Sequence, residues 1–172
     1  MYMSSPKQPQ GFTLIELMVT IAVLAILASI AVPNLRSFLV NADLRGSINT
    51  LQSDAMNARQ EAIRLQRTVV IRPKTGVDWK TGWQMTIENP PTGVPALKSS
   101  RDELPESLTI GFDNTGAVIR YDSAGFSRDA SGGFLAGCIR FDAAYTGRAS
   151  GIVFDAAGRP RVWKGLSSAS SC

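Results

Sequence analysis

The chain has 172 residues, 44% of them hydrophobic, and its 18 Lys and Arg against 14 Asp and Glu give a formal charge of +4. That length suits one ordinary domain with an appendage. The complete lack of histidine excludes Ser-His-Asp and Cys-His catalysis, His-ligated zinc and His-based pH switching. The two cysteines, Cys138 and Cys172, are too few for a structural zinc or iron–sulfur site. With no nucleophile–base pair, metal cluster or phosphate loop legible, the expectation is a non-enzyme that needs no cofactor and no metal.

Residues 1–11 are polar, with one cation, Lys7. The character then changes abruptly: Phe12–Val32 is a run of 21 residues with a single charge, Glu16. As a helix it would span about 31 Å, close to the hydrocarbon thickness of a bilayer. Three readings meet here. A secretory signal peptide would use Ser29-Ile30-Ala31 as its small-x-small site, but the run is long for an h-region and contains a carboxylate. A plain transmembrane anchor explains the length but not Glu16, since a charge at the bilayer centre costs roughly 2.5–3.5 kcal/mol. The third reading accounts for both. Gly11-Phe12-Thr13-Leu14-Ile15-Glu16 resembles the prepilin cleavage motif of type IV pilins and type II secretion pseudopilins.

That resemblance covers the leader and the whole first helix. It implies that a prepilin peptidase cuts after Gly11 and methylates the new amino terminus of Phe12. It also implies that Glu16 pairs with the amino terminus of a neighbouring subunit during filament assembly. An unpaired carboxylate in low dielectric is costly and a paired one is not, so the charge would favour the assembled state. The other reading of Glu16 is a polar residue tolerated near the membrane edge. The charges flanking the span, Lys7 before it and Arg36 and Arg45 after it, do not favour the inward N-terminus. The resemblance alone implies that orientation.

The helix is predicted to continue past Pro33, which would kink or loosen one turn. Leu44, Ile48, Leu51, Ala55, Ala58, Ala62 and Leu65 alternate at spacings of four and three, a sustained apolar stripe. Asn49, Asp54, Arg59 and Glu61 are assigned to the opposite face. Beyond Gln66 the pattern becomes β-like, with runs at 68–72, 83–88, 108–112, 118–121, 138–142, 151–155 and 160–163. Turn signals separate them: Lys74-Thr75-Gly76, Asn89-Pro90-Pro91-Thr92-Gly93, Asp113-Asn114-Thr115-Gly116 and Asp155-Ala156-Ala157-Gly158. Residues 89–107 and 122–135 read as long surface loops with little to bury. The fold class is α+β: a long N-terminal helix whose apolar half is transmembrane and whose amphipathic half packs on a head of antiparallel β-sheet. The expected division is a cleaved leader at 1–11, a transmembrane and assembly helix at 12–36, and a pilin head with a basic tail at 37–172.

The second half of the head is basic. Residues 126–172 hold Arg128, Arg140, Arg148, Arg159, Arg161 and Lys164 against Asp129, Asp142 and Asp155. The densest part is Gly158-Arg159-Pro160-Arg161-Val162-Trp163-Lys164. In a strand, side chains two residues apart share a face at about 6.6 Å, so Arg159 and Arg161 would project together, comparably to successive phosphates of a nucleic acid. Pro160 suits an edge strand or an exposed turn. Trp163 falls on the same face, to stack or to anchor the tail.

Gly158-Arg159-Pro160-Arg161 also matches a GRxR signature found in DNA-binding members of the GspH/FimT family of minor pilins. The layout agrees with that family: leader, long helix, small β-rich head and two late cysteines. The resemblance implies a minor type IV pilin that binds extracellular DNA for natural transformation. The implied site is Arg159, Arg161, Gly158, Lys164, Arg140 and Arg148, acting on phosphates without reading sequence. Its implied partners are DNA, other major and minor pilins, prepilin peptidase and, before assembly, the inner membrane. The head would face the periplasm and later lie on the extracellular fibre. In that oxidising setting a Cys138–Cys172 disulfide is expected to staple the Ser-rich tail. The competing expectation is a structural minor pilin or a type II secretion pseudopilin that primes or caps a filament without binding DNA. A solvated hairpin with ordinary surface arginines would serve it equally.

Overall fold

The computed structural model describes residues 12–112, 118–129, 131–135, 137–155 and 157–166. Among these described residues one helix, α1 (Leu14–Leu65), is followed by nine strands. These are β1 (Val69–Thr75), β2 (Asp78–Ile87), β3 (Leu97–Ser100), β4 (Leu108–Phe112), β5 (Ile119–Tyr121), β6 (Ser127–Arg128), β7 (Gly137–Ala143), β8 (Arg148–Phe154) and β9 (Pro160–Leu166). They form a five-stranded sheet in the order β3-β2-β1-β5-β6 and a four-stranded sheet in the order β4-β7-β8-β9, with antiparallel pairing throughout.

The chain divides into two compact units, Met1–Ser37 and Phe38–Cys172. In the first, every described side chain from Phe12 to Arg36 is exposed. A largely apolar run of 21 residues with a single charge, all exposed, needs lipid or other helices. By length and composition, α1 is a helix able to cross a membrane.

In the second unit the helix stripe is the spine of the core. Leu44, Ile48, Leu51, Ala55, Ala58 and Ala62 are buried in one cluster with the inner faces of both sheets. Val69 and Ile71 of β1, Trp83, Met85 and Ile87 of β2, and Ile119 and Tyr121 of β5 come from the first sheet. Leu108, Ile139, Phe141, Ile152 and Phe154 come from the second. Small alanines at the C-terminal end of the stripe let the sheet approach closely, whereas the N-terminal end uses Leu and Ile.

Three sequence expectations are corrected here. Asp54 is not on an open face but buried, 1% exposed. It sits three residues after Leu51 and four before Ala58, which places it at the border of the apolar stripe. Its carboxylate accepts the Trp83 indole N–H at 2.9 Å and both Nε and Nη2 of Arg101, at 2.8 and 2.7 Å. The segment 89–107 is not simply a surface loop: it contains β3, it buries Leu104, and its Arg101 and Leu104 amides bond the Trp83 and Lys80 carbonyls at 2.8 and 2.9 Å. The segment 122–135 contains β6 and buries Ser127 and Leu135. Both strands are short and polar, so no alternation announces them. Their backbone groups find partners on sheet edges that the sequence does not reveal.

Candidate nucleic-acid interface and assembly helix

The basic motif occupies the β8–β9 hairpin at the free edge of the four-stranded sheet. Register pairs Phe154 with Pro160, Val153 with Arg161, Ile152 with Val162, Gly151 with Trp163 and Ser150 with Lys164. Antiparallel partners share a face. Phe154 and Ile152 are buried toward the core, so Arg161 and Trp163 lie on the outer face and Lys164 on the inner one.

The turn itself is built around Asp155. Its carbonyl accepts the Gly158 amide at 2.8 Å, and its Oδ1 accepts the Arg159 amide at 2.9 Å. The Arg159 Nε donates to Oδ2 at 3.1 Å. That amide bond, together with the Arg159 and Arg161 charges, holds the Asp155 carboxyl below its usual range and outweighs the opposing effect of burial. Both guanidiniums therefore gather near one carboxylate. Arg159 and Arg161 are exposed, while Pro160 between them is buried and its carbonyl accepts Gln52 Nε2 of α1 at 3.5 Å.

Gly158 is buried and does not present a surface of its own. Its φ is +77°, and a Cβ there would run into the carbonyl oxygen of Gly125. The glycine thus lets the turn press against the loop after β5, and at the start of β6 the Ser127 hydroxyl donates to the Asp155 carbonyl at 2.9 Å. Arg59 of α1 secures the same loop by donating from Nε to the Gly125 carbonyl at 2.9 Å. The arginine turn therefore stands on the helix and on both sheets.

The remaining basic residues do not form one patch with it. Arg140 shares the outer face, since Cys138, Val153 and Arg161 form one cross-strand row and Arg140, Gly151 and Trp163 the next. Sheet spacing puts Arg140 about 12 Å from Arg161, and Arg140 is held by Asp142, Nη2 to Oδ1 at 2.7 Å. The Trp163 indole lies over Gly165, where a Cβ would overlap its ring. Arg148 is exposed but pairs in register with Leu166, on the inner side with Lys164. Both line a groove beside α1 rather than the arginine turn.

A feature that sequence reasoning missed adjoins the turn. Arg128 in β6 lies 4.3 Å above the Phe134 ring and donates to Asp122 at 2.8 Å. Phe126 and Phe134 meet edge to face at 6.1 Å, and both are exposed. Neither phenylalanine sits in an alternating run, so only tertiary proximity connects them.

At the other end, Glu16 has a local role that sequence reasoning also missed. Thr13 precedes α1, its hydroxyl accepts the Glu16 amide at 3.3 Å, and Glu16 Oε2 accepts the Thr13 amide at 2.9 Å. This reciprocal pair is a capping box, and its Thr-x-x-Glu spacing was readable in the sequence. Gly11 of the cleavage motif and Cys172 of the expected disulfide lie outside the described residues. Cys138 is buried in β7.

A long apolar N-terminal helix continuing into an antiparallel two-sheet head is the architecture of pilins and pseudopilins. The crystal structure of the Pseudomonas aeruginosa type IV minor pilin FimU superimposes with a TM-score of 0.57 at 18% identity, over 78% of this chain and 98% of that one. A second crystal form of FimU gives 0.53 at 18% identity, over 75% and 99%. The type II secretion system core protein G of Aeromonas hydrophila is 31% identical over 96 residues, 56% of this chain, and the chain spans 61% of that relative's length. Residues 6–32 match the prokaryotic N-terminal methylation motif, and residues 47–159 match the family described as type II transport protein GspH. The chain belongs to the GspH family of minor pilins and pseudopilins.

Proposed function

We propose that this chain is a minor pilin of the type IV pilus that holds extracellular DNA on its Arg159–Arg161 turn, for uptake in natural transformation. The supporting observation is the pair of exposed guanidiniums on either side of a buried, anchored proline. Pro160 cannot rotate out, so both arginines face solvent from a stiff support. Exposed arginines on a rigid turn contact phosphates, release counterions and read little sequence. Processing after Gly11 by prepilin peptidase, insertion with the head in the periplasm, and assembly with other pilins complete the reading. A Cys138–Cys172 disulfide would return the tail to β7, whose Cys138 shares a cross-strand row with Arg161.

The Arg159–Asp155 ion pair favours a second reading, a purely structural minor pilin or pseudopilin, because the arginine then serves the turn itself. The two readings part on one measurement, DNA binding by the detergent-solubilised full chain. Arg159→Gln with Arg161→Gln is expected to weaken binding to duplexes of unrelated sequence equally. The log–log salt slope should flatten by about two, near 0.9 per lost phosphate contact. A folded double variant with unchanged affinity and slope would leave the structural reading in place.

A further inference from the structure

Arg148 and Lys164 are separated from the arginine turn by the sheet, and their surroundings point to a different partner. With Arg45 of α1 they line a groove of about 600 Å³ between helix residues 41–49 and strands β8 and β9. Its floor includes Leu44, Ile48 and Val162, and none of its described lining residues carries a carboxylate. None of the three cations has a carboxylate within 4 Å among the described residues.

The other flank of the same helix segment carries the opposite charge. A groove of about 440 Å³ there is lined by Asp43, Asp102 and Glu103, together with Arg101, which Asp54 already neutralises. Asp43 and Arg45 stand two residues apart, a rotation of about 200°, and so point about 160° away from each other around the helix. Leu44 and Ile48 between them are buried in the core, which fixes the rotation of the helix and keeps the two flanks on opposite sides. On the acidic side, Asp43 accepts the Ser107 hydroxyl at 3.1 Å, Asp102 meets Lys74 at 3.2 Å with its side chain fully in solvent, and Glu103 is exposed.

We propose that the Arg45–Arg148–Lys164 groove is a docking site for the acidic flank, Asp43, Asp102 and Glu103, of a second copy of this chain. A two-fold pairing of like surfaces would set cation against cation, so charge favours head-to-tail contact of unlike flanks. Such a heterologous contact does not close on itself and extends as an open row. The contact is independent of DNA binding, since it uses neither Arg159 nor Arg161.

The test mixes equal amounts of ordinary and ¹⁵N-labelled full chain in detergent micelles and adds a carbodiimide, which joins lysine amines to nearby carboxylates. Mixed-isotope peptides linking Lys164 to Asp43, Asp102 or Glu103 are expected. Their yield should fall about tenfold in 1 M salt, where the screening length is about 3 Å. It should fall likewise when both copies carry Arg45→Glu with Arg148→Glu. Mixing that variant with an Asp102→Lys/Glu103→Lys copy should restore cross-links, now between the introduced lysines and the introduced glutamates, which also shows that both variants are folded. Absence of mixed-isotope cross-links at Lys164 would overturn the proposal. So would cross-links indifferent to charge reversal, or ones that reach carboxylates elsewhere on the head.

Discussion

The Arg159 guanidinium donates to the Asp155 carboxylate, Nε to Oδ2 at 3.1 Å, across the turn that joins β8 to β9. The same carboxylate accepts the Arg159 amide, so it shapes the turn and offsets the charge that the turn presents. A phosphate approaching Arg159 must compete with it.

Replacing Asp155 by Asn separates those two effects. The amide oxygen can still accept the Arg159 N–H, while the negative charge is gone. DNA affinity of the full chain is expected to rise, and its salt dependence to steepen by up to about one phosphate contact, near 0.9 in slope. Fluorescence anisotropy across a salt series checks this. Unchanged or weaker binding in a folded variant would count against phosphate contact by Arg159.

Gly158→Ala keeps every charge and disturbs only the backbone. The φ of +77° and the overlap with the Gly125 carbonyl are both unfavourable to a Cβ. Strain of this kind costs of order 1–3 kcal/mol, so thermal unfolding should move to lower temperature. DNA binding should weaken although Arg159 and Arg161 remain, because their support has shifted off the loop at Gly125.

Asp54→Ala tests the anchor at the other side of the head. The substitution leaves the buried Trp83 N–H without its acceptor and Arg101 without its counter-charge. Breaking a buried pair by removing one partner costs about 3–5 kcal/mol, and the solvent exposure of Arg101 places this case at or below the low end. Urea denaturation should show a reduced midpoint. Asp54→Asn, which retains an acceptor for the indole, should lose less.

Two substitutions distinguish the capping of α1 by Glu16 from the proposed pairing of its charge with a neighbouring subunit. Glu16→Gln keeps the acceptor for the Thr13 amide and removes the charge. Glu16→Ala removes both. If the charge governs assembly, both variants should stay in the membrane yet be depleted from sheared filaments. Recovery of normal incorporation by Glu16→Gln alone would assign the residue to capping.

The local order of this chain was legible without coordinates. The apolar span and the four-and-three stripe determine α1, because helix periodicity is a property of consecutive residues. The runs at 108–112 and 160–163 likewise anticipated β4 and the start of β9, where alternation and turn residues are local signals. Tertiary structure decided what local pattern does not encode. Asp54 reads as a solvent residue until Trp83 and Arg101, distant in sequence, arrive around it. The polar strands β3 and β6 exist because neighbouring edges offer backbone partners. Arg148, Arg161 and Lys164 read as one basic tail, yet strand register sends Arg161 to one side of the sheet and the other two to its opposite side. That division depends on which face the core buries, and burial is settled only when both sheets close on the helix.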